Sequence, residues 1–184
     1  MGSIRYVTIN WLPQLLKKFE NNQPTASKFS ISTGTGLSPD ILNSLLAEKF
    51  DVAFCSKCRD DNLFEFTPIS RQKMVLITPL NHPLANKAAV NLAETLPYPQ
   101  ITFALKSGLS HQLADLFNLC GGKPNSICAV EEDETIAGLV ANDFGIAVVP
   151  MMDMLYNLPI RIIPISFPKW ERAYLYGDCQ RPSC

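Results

Sequence analysis

Thiols, carboxylates and hydroxyls fall into a few short clusters in this chain, and each cluster suggests a chemistry. Cys55-Ser-Lys-Cys58 has the C-x-x-C spacing of a dithiol redox pair. Such a pair needs one thiol at a helix N-terminus, where its pKa falls. Here Cys55 ends an apolar, strand-like run and Cys58 enters a connection, so two inert thiols are the simpler reading. Zinc would require a second C-x-x-C or paired histidines. His82 reads as a loop residue and His111 as a first-turn helix residue, so no metal site is expected. Glu131-Glu-Asp-Glu134 could suit metal or acid/base work, but a helix beginning near Asp133 attracts acidic residues to its first turn. Glu134 and Thr135 remain as residues that could edge a ligand crevice.

Ser70-Arg-Gln-Lys73 together with Lys106-Ser107-Gly108 imitates parts of a serine-acylating set. That chemistry needs its serine at the start of a buried helix, whereas Ser70 precedes a run that reads as a strand. No Ser-Asp-Asn lies between the two clusters, and the chain is short for such a fold. The remaining candidates are Thr33-Gly34-Thr35, Thr102 and Ser107-Gly108. Each stands at a strand end or helix start, where open α/β sheets hold ligands. Helix-start amides with added hydroxyls favour carboxylate or phosphate. The alternative is that these residues only make turns and caps. Of the aromatic residues, Phe103 alone falls near these candidates; Trp11, Phe144 and Trp170 read as core.

The elements that must position these residues follow from hydrophobic period. Ile136, Leu139 and Val140 sit at i, i+3, i+4, a helical face, and Ile146–Val149 is a continuous apolar run, as in a strand buried on both sides. Gly145 between them suits a helix C-terminus needing positive φ, and Pro150 closes the strand. Upstream, Ile4–Ile9 reads as a first strand, and Pro13 opens a helix carrying Leu12, Leu15, Leu16 and Phe19 on one stripe. Phe29–Ser32 alternates like a strand, and Thr33–Gly36 reads as a turn. Ser38 suits an N-cap before a helix burying Ile41, Leu42, Leu45 and Leu46. Asp51–Cys55 is a third strand, which makes a β-α-β-α-β series with parallel strands.

A second series follows. Met74–Thr78 reads as a strand, Asn91 as a cap for Leu92–Thr95, and Gln100–Phe103 as a strand. A helix then aligns Leu109, Leu113, Leu116 and Phe117 and ends at Gly121-Gly122. Ser126–Val130, Arg161–Ile165 and Arg172–Tyr176 complete the strands. The predicted class is α/β with wound sheets. The opening Met1-Gly2-Ser3 reads as an expression remnant and is assigned no structural role.

Composition narrows the function classes. The 184 residues are 47% hydrophobic and 18% charged, with 16 basic against 17 acidic residues and a net charge of -1. DNA affinity rests on Lys and Arg neutralising phosphates, so these residues alone are poor DNA binders. No apolar run approaches a membrane span, and no secretory signal opens the chain. Six cysteines without such a signal fit a reducing cytoplasm.

Leu12-Pro13 through Phe19, Phe50-Asp-Val-Ala-Phe54 and Met74-Val-Leu-Ile-Thr-Pro79 with His82-Pro-Leu-Ala85 resemble, in order, segments of one family. Pro99-Gln-Ile-Thr-Phe103, Ser107-Gly-Leu109 and Ala137–Pro150 continue the series. The family is the effector-binding domain of LysR-type transcriptional regulators. Glu131–Val140 and Trp170-Glu-Arg172 are similar to the branch containing regulators of glutamate synthase. The resemblance implies a fold like type 2 periplasmic binding proteins, with two wound, Rossmann-like lobes joined by two crossing strands near Arg71–Thr78 and Arg161–Pro164. The first lobe would be 1–75 plus 162–184 and the second 76–161.

The resemblance also implies a small, anionic metabolite held between lobes, with Thr8 and Asn10 joining Thr33, Gly34, Thr35, Thr102, Phe103, Ser107, Gly108, Glu134 and Thr135 around it. The connection Asn10-Trp11-Leu12 is shorter than the family's. It implies no catalysis, cofactor or metal. It further implies a cytoplasmic homodimer, tetrameric at full length, in which the Leu12–Phe19 helix of one copy lies near the Leu109–Phe117 helix of another. The family's winged helix-turn-helix is absent from these residues, so DNA would be contacted only through it. A transporter's solute-binding protein is the alternative, and an enzyme on the same two-lobed fold comes third.

Overall fold

The computed structural model describes residues 1–22, 33–56, 58 and 63–179. The expected strand at Phe29–Ser32 lies outside them. The described chain divides into two compact units, Met1–Ser70 with Ala173–Cys184, and Arg71–Arg172.

The first unit begins with a correction. Gly2–Ser3 is strand β1, so the opening residues are structural. β1 lies between the parallel strands β2 (Gly34–Thr35) and β3 (Ala53–Ser56). A side chain at Gly2 would put its Cβ 2.5 Å from the Phe50 ring, so only glycine admits that ring. Ile4–Ile9, expected as a strand, is helical: α1 spans Arg5–Asn10. The β-branched residues there favour a strand locally. Burial follows the helical period instead, with Ile4 and Val7 inside and Ile9 63% exposed. The connection that looked too short is therefore a helix joined at Trp11 to α2 (Leu12–Asn21).

Of the expected α2 stripe only Leu12 is buried; Leu15 and Phe19 are exposed. Helix α3 (Ser38–Leu46) buries Ile41, Leu42 and Leu45 but leaves Leu46 exposed. Its N-cap is Leu37, not Ser38. Ser38 lies one position inside, and its Oγ accepts the Ser56 N–H at 3.0 Å. Ile4, Val7 and the buried face of α3, with Phe54, Phe64 and Tyr174, form the unit's core.

Strand β4 (Phe64–Pro79) passes from the first unit into the second. In the second unit, a short strand β5 (Val90–Asn91) leads into a 3-10 turn, Leu92–Thr95. Asn91 caps that turn as expected, and Glu94 returns a bond to the Asn91 N–H. Parallel strands β6 (Pro99–Phe103) and β7 (Asn125–Val130) flank helix α4 (Gly108–Leu119) in sequence, which is a β-α-β crossover. Helix α5 (Asp133–Ala141) then leads to β8 (Ala147–Pro150), and Ile146 bridges in parallel to Gln100.

Strand β8 pairs antiparallel with β4, which also pairs antiparallel with β9 (Ile160–Phe167). The final strand, β10 (Glu171–Cys179), pairs antiparallel with β3 of the first unit. The apolar run Ile146–Val149 is buried throughout, as its sequence requires. Gly145 has the positive φ expected of it, at 157°, and Asp143, two residues earlier, is left-handed at 63°. Asp tolerates that conformation through its short polar side chain.

Candidate functional site

In the first unit, three parallel strands present their carboxyl ends together. Ser3 of β1 is in register with Thr35 of β2 and Phe54 of β3. Ser56, two residues further along, ends β3. Ser3, Ser38 and Ser56 are buried, while Thr33 and Thr35 are exposed. Ser3 Oγ donates to the Ile4 carbonyl at 3.2 Å. Gly34 donates its N–H to the Met1 carbonyl at 3.0 Å, and a Cβ there would lie 2.6 Å from Phe50. The loop from Thr33 to Gly36 therefore has to carry glycine to pass under that ring.

Thr8 and Asn10 sit on α1. Thr8 Oγ1 donates to the Ile4 carbonyl at 3.2 Å, and Asn10 Nδ2 donates to the Tyr6 carbonyl at 3.0 Å. Both bonds are the i to i−4 kind that side chains make inside a helix. With the expected strand at Ile4–Ile9 helical instead, the residue at the carboxyl end of β1 is Ser3. Ser38 and Ser56 were missed for a different reason. They look like an ordinary cap and strand end until the fold brings the Ser56 N–H onto Ser38 Oγ. The available signal was the i, i+3 spacing of Ile4 and Val7, which places a helix directly after Ser3.

In the second unit, Thr102 and Phe103 form the carboxyl half of β6. Phe103 is buried. Ser107 caps α4, its buried Oγ accepting the Leu109 N–H at 3.3 Å, and Gly108 is the first helical residue. Glu134, half-buried, and Thr135, exposed, lie in the first turn of α5 beside Asp133, as acidic residues at a helix start should. Thr102 Oγ1 lies 2.7 Å from Ser126 Oγ and 3.3 Å from the Cys128 carbonyl. The register of β6 and β7 shifts at this point, between Gln100 and Ile101.

The weighed alternatives also resolve into structure. Ser70–Lys73 lies within β4, so Ser70 starts no helix. Cys55 is buried in β3, and Cys58 donates its Sγ to the Ser56 carbonyl at 3.7 Å. His82 Nδ1 accepts the Leu84 N–H at 3.2 Å, and burial holds its pKa below the usual 6.5.

Two wound α/β units with hydroxyls and glycines at strand ends and helix starts define a ligand-binding domain. Comparison with known proteins gives the family. The model of the LysR substrate binding domain matches residues 1–176, and the chain belongs to that family. The uncharacterized HTH-type transcriptional regulator YybE of Bacillus subtilis (strain 168) is 24% identical over 173 residues, covering 94% of this chain and 58% of YybE. The effector-binding domain of QuiR in complex with shikimate superposes with a TM-score of 0.93 at 30% identity, covering 99% of this chain and 87% of that one. HinK, a LysR family transcriptional regulator from Pseudomonas aeruginosa, superposes at 0.83 with 21% identity, covering 99% and 63%. The chain thus spans little more than half the length of its curated relative. Its family's domain senses ligands for transcriptional regulators and is not catalytic, and its fold is that of type 2 periplasmic binding proteins.

Proposed function

We propose that this domain senses a small carboxylate and that the carboxyl-end residues of the first unit are its main contacts. The exposed Thr33 and Thr35 would supply hydroxyls, beside the buried Ser3 and flanking Gly34, whose lack of a side chain lets the loop pass under Phe50. Ser107 and Gly108 at the start of α4, with Glu134 and Thr135 at the start of α5, form a second candidate set in the other unit. A twelve-residue helix such as α4 offers unpaired amides and the positive end of its dipole to an anion. The observation that carries this reading is the register of Ser3 with Thr35, in a fold that matches a shikimate-bound domain at a TM-score of 0.93. Shikimate, a hydroxylated carboxylate, is therefore the first compound to test.

The same proposal extends to the whole protein. Ligand binding would bias transcription through a DNA-binding part outside these residues, in the cytoplasm. The protein would act as a homodimer. The exposed Leu15 and Phe19 on α2 support that reading, because an apolar helix face is rarely left open to water. No helix of the described residues is long and apolar enough to cross a membrane.

The test is thermal unfolding of the chain with and without shikimate, with the ligand recovered afterwards. A ligand bound only by the native state stabilises by about 2.7 kcal/mol at a hundredfold excess over Kd. Stabilisation with shikimate recovered intact supports the proposal. A folded chain whose melting moves with no small carboxylate, or one that consumes the ligand, overturns it.

A further inference from the structure

Helix α1 begins one residue after Ser3, at the carboxyl end of β1. Thr8 and Asn10 commit their side chains to the Ile4 and Tyr6 carbonyls within the helix. Tyr6 differs. Its hydroxyl takes part in no hydrogen bond among the described residues, and the residue is half-buried. Its ring stacks on the buried Tyr174, with centroids 5.1 Å apart and planes 12° apart.

Register puts this stack at the carboxyl ends of the parallel strands. A Cβ at Gly2 would meet Phe50 and Ile41, so α3 and Phe50 lie on the face toward which Gly2 turns. Alternation along a strand turns Ser3 to the other face. In register with Ser3 are Thr35 and Phe54; two residues past Phe54 comes Ser56, which pairs with Tyr174. Ser3, Thr35, Ser56 and Tyr174 therefore share one face, and Tyr6 lies against it through its stack on Tyr174.

We propose that Tyr6 is a specificity-determining residue of the carboxylate site, its hydroxyl bonding to a hydroxyl group of the ligand. The inference rests on the carboxylate reading above and narrows the ligand to a hydroxylated carboxylate. The charged end belongs at Thr33 and Thr35, next to the start of the nine-residue helix α3, whose free amides favour an anion. Strands β1 and β3 separate Thr35 on β2 from Tyr174 on β10, so Tyr6 meets the opposite end of the molecule. There a phenol, which both donates and accepts, matches an alcohol, which does the same. The stack on Tyr174 already restrains the ring, so little side-chain freedom is lost on binding.

The experiment titrates the full 184-residue chain calorimetrically with shikimate and with 1-cyclohexene-1-carboxylate, the same ring acid without its hydroxyls. Tyr6→Phe keeps the ring stack and removes only the hydroxyl. It should bind shikimate about five- to tenfold more weakly than the parent does, and the hydroxyl-free acid with unchanged affinity. Thr35→Val, at the charged end, should weaken both acids alike. The inference is overturned if Tyr6→Phe binds shikimate as the parent does, or if it loses both acids equally. It is also overturned if Tyr6→Phe fails to fold by circular dichroism, which would give the hydroxyl a structural role, or if the parent does not bind the hydroxyl-free acid. A parent that binds neither acid overturns the carboxylate reading as well. A parent that binds both, with Tyr6→Phe indistinguishable from it, leaves that reading standing and removes Tyr6 alone.

Discussion

At Gly145 the requirement is room. A Cβ there would sit 2.7 Å from the Pro99 carbonyl oxygen. That oxygen accepts the Ile146 N–H at 3.0 Å, and Ile101 donates to the Ile146 carbonyl at 2.9 Å, so the approach links the start of β8 to β6. Gly145→Ala should cost about 1–3 kcal/mol in urea unfolding, and a loss well below that would show that the backbone relaxes freely. His82 yields a pH prediction. Its folded pKa lies below 6.5 because burial disfavours the charged ring. Its Nδ1 must also be unprotonated to accept the Leu84 N–H. Below pH 6.5 the unfolded chain takes up a proton that the folded chain resists, so this stability is present above 6.5 and lost as pH falls through the folded pKa. His82→Asn should flatten that part of the stability profile, measured by unfolding midpoints on either side of pH 6.5. An unchanged slope would remove His82 as its source.

Among the elements, those read correctly from sequence have local signals that agree with their tertiary setting. Helix α5 and strand β8 change period where the residues say, and Asn91 caps the Leu92–Thr95 turn through its own side chain and Glu94. Asn91→Ala should therefore lower stability by about 1 kcal/mol, read as a fall in the urea midpoint; no fall would mean that packing alone holds the turn. Lys87 pairs with the same Glu94, and its bond is the main cause of the lowered carboxyl pKa. The misread elements are those where local preference and context disagree. Ile4, Val7 and Ile9 favour a strand by type, yet only the fold reveals that Gly2–Ser3 is the strand and that Phe50 fills the space beside it. Glycine has little strand propensity, so no local pattern marks β1. The candidate site was partly legible for the same reason. Thr33, Gly34 and Thr35 follow from turn chemistry, whereas sheet register sets Ser3 beside Thr35 and a long-range bond joins Ser56 to Ser38.

At the scale of the whole molecule, near-neutral charge, wound α/β units and membership of the LysR substrate-binding-domain family agree on a domain that binds a ligand without transforming it. A ligand changes such a protein only through unequal affinity for its conformations, so recognition by specific hydroxyls is the property on which the rest depends. Thr35 is the most direct probe, being exposed, at the end of β2 and beside Ser3. The decisive measurement is calorimetric titration of shikimate into the parent chain and into Thr35→Val, with each fold checked by circular dichroism. The account predicts saturable binding to the parent and affinity about tenfold weaker in the variant, the loss of one hydrogen bond to a charged group. Equal affinity in both chains, or no binding of shikimate or any other small carboxylate to the folded parent, would contradict it.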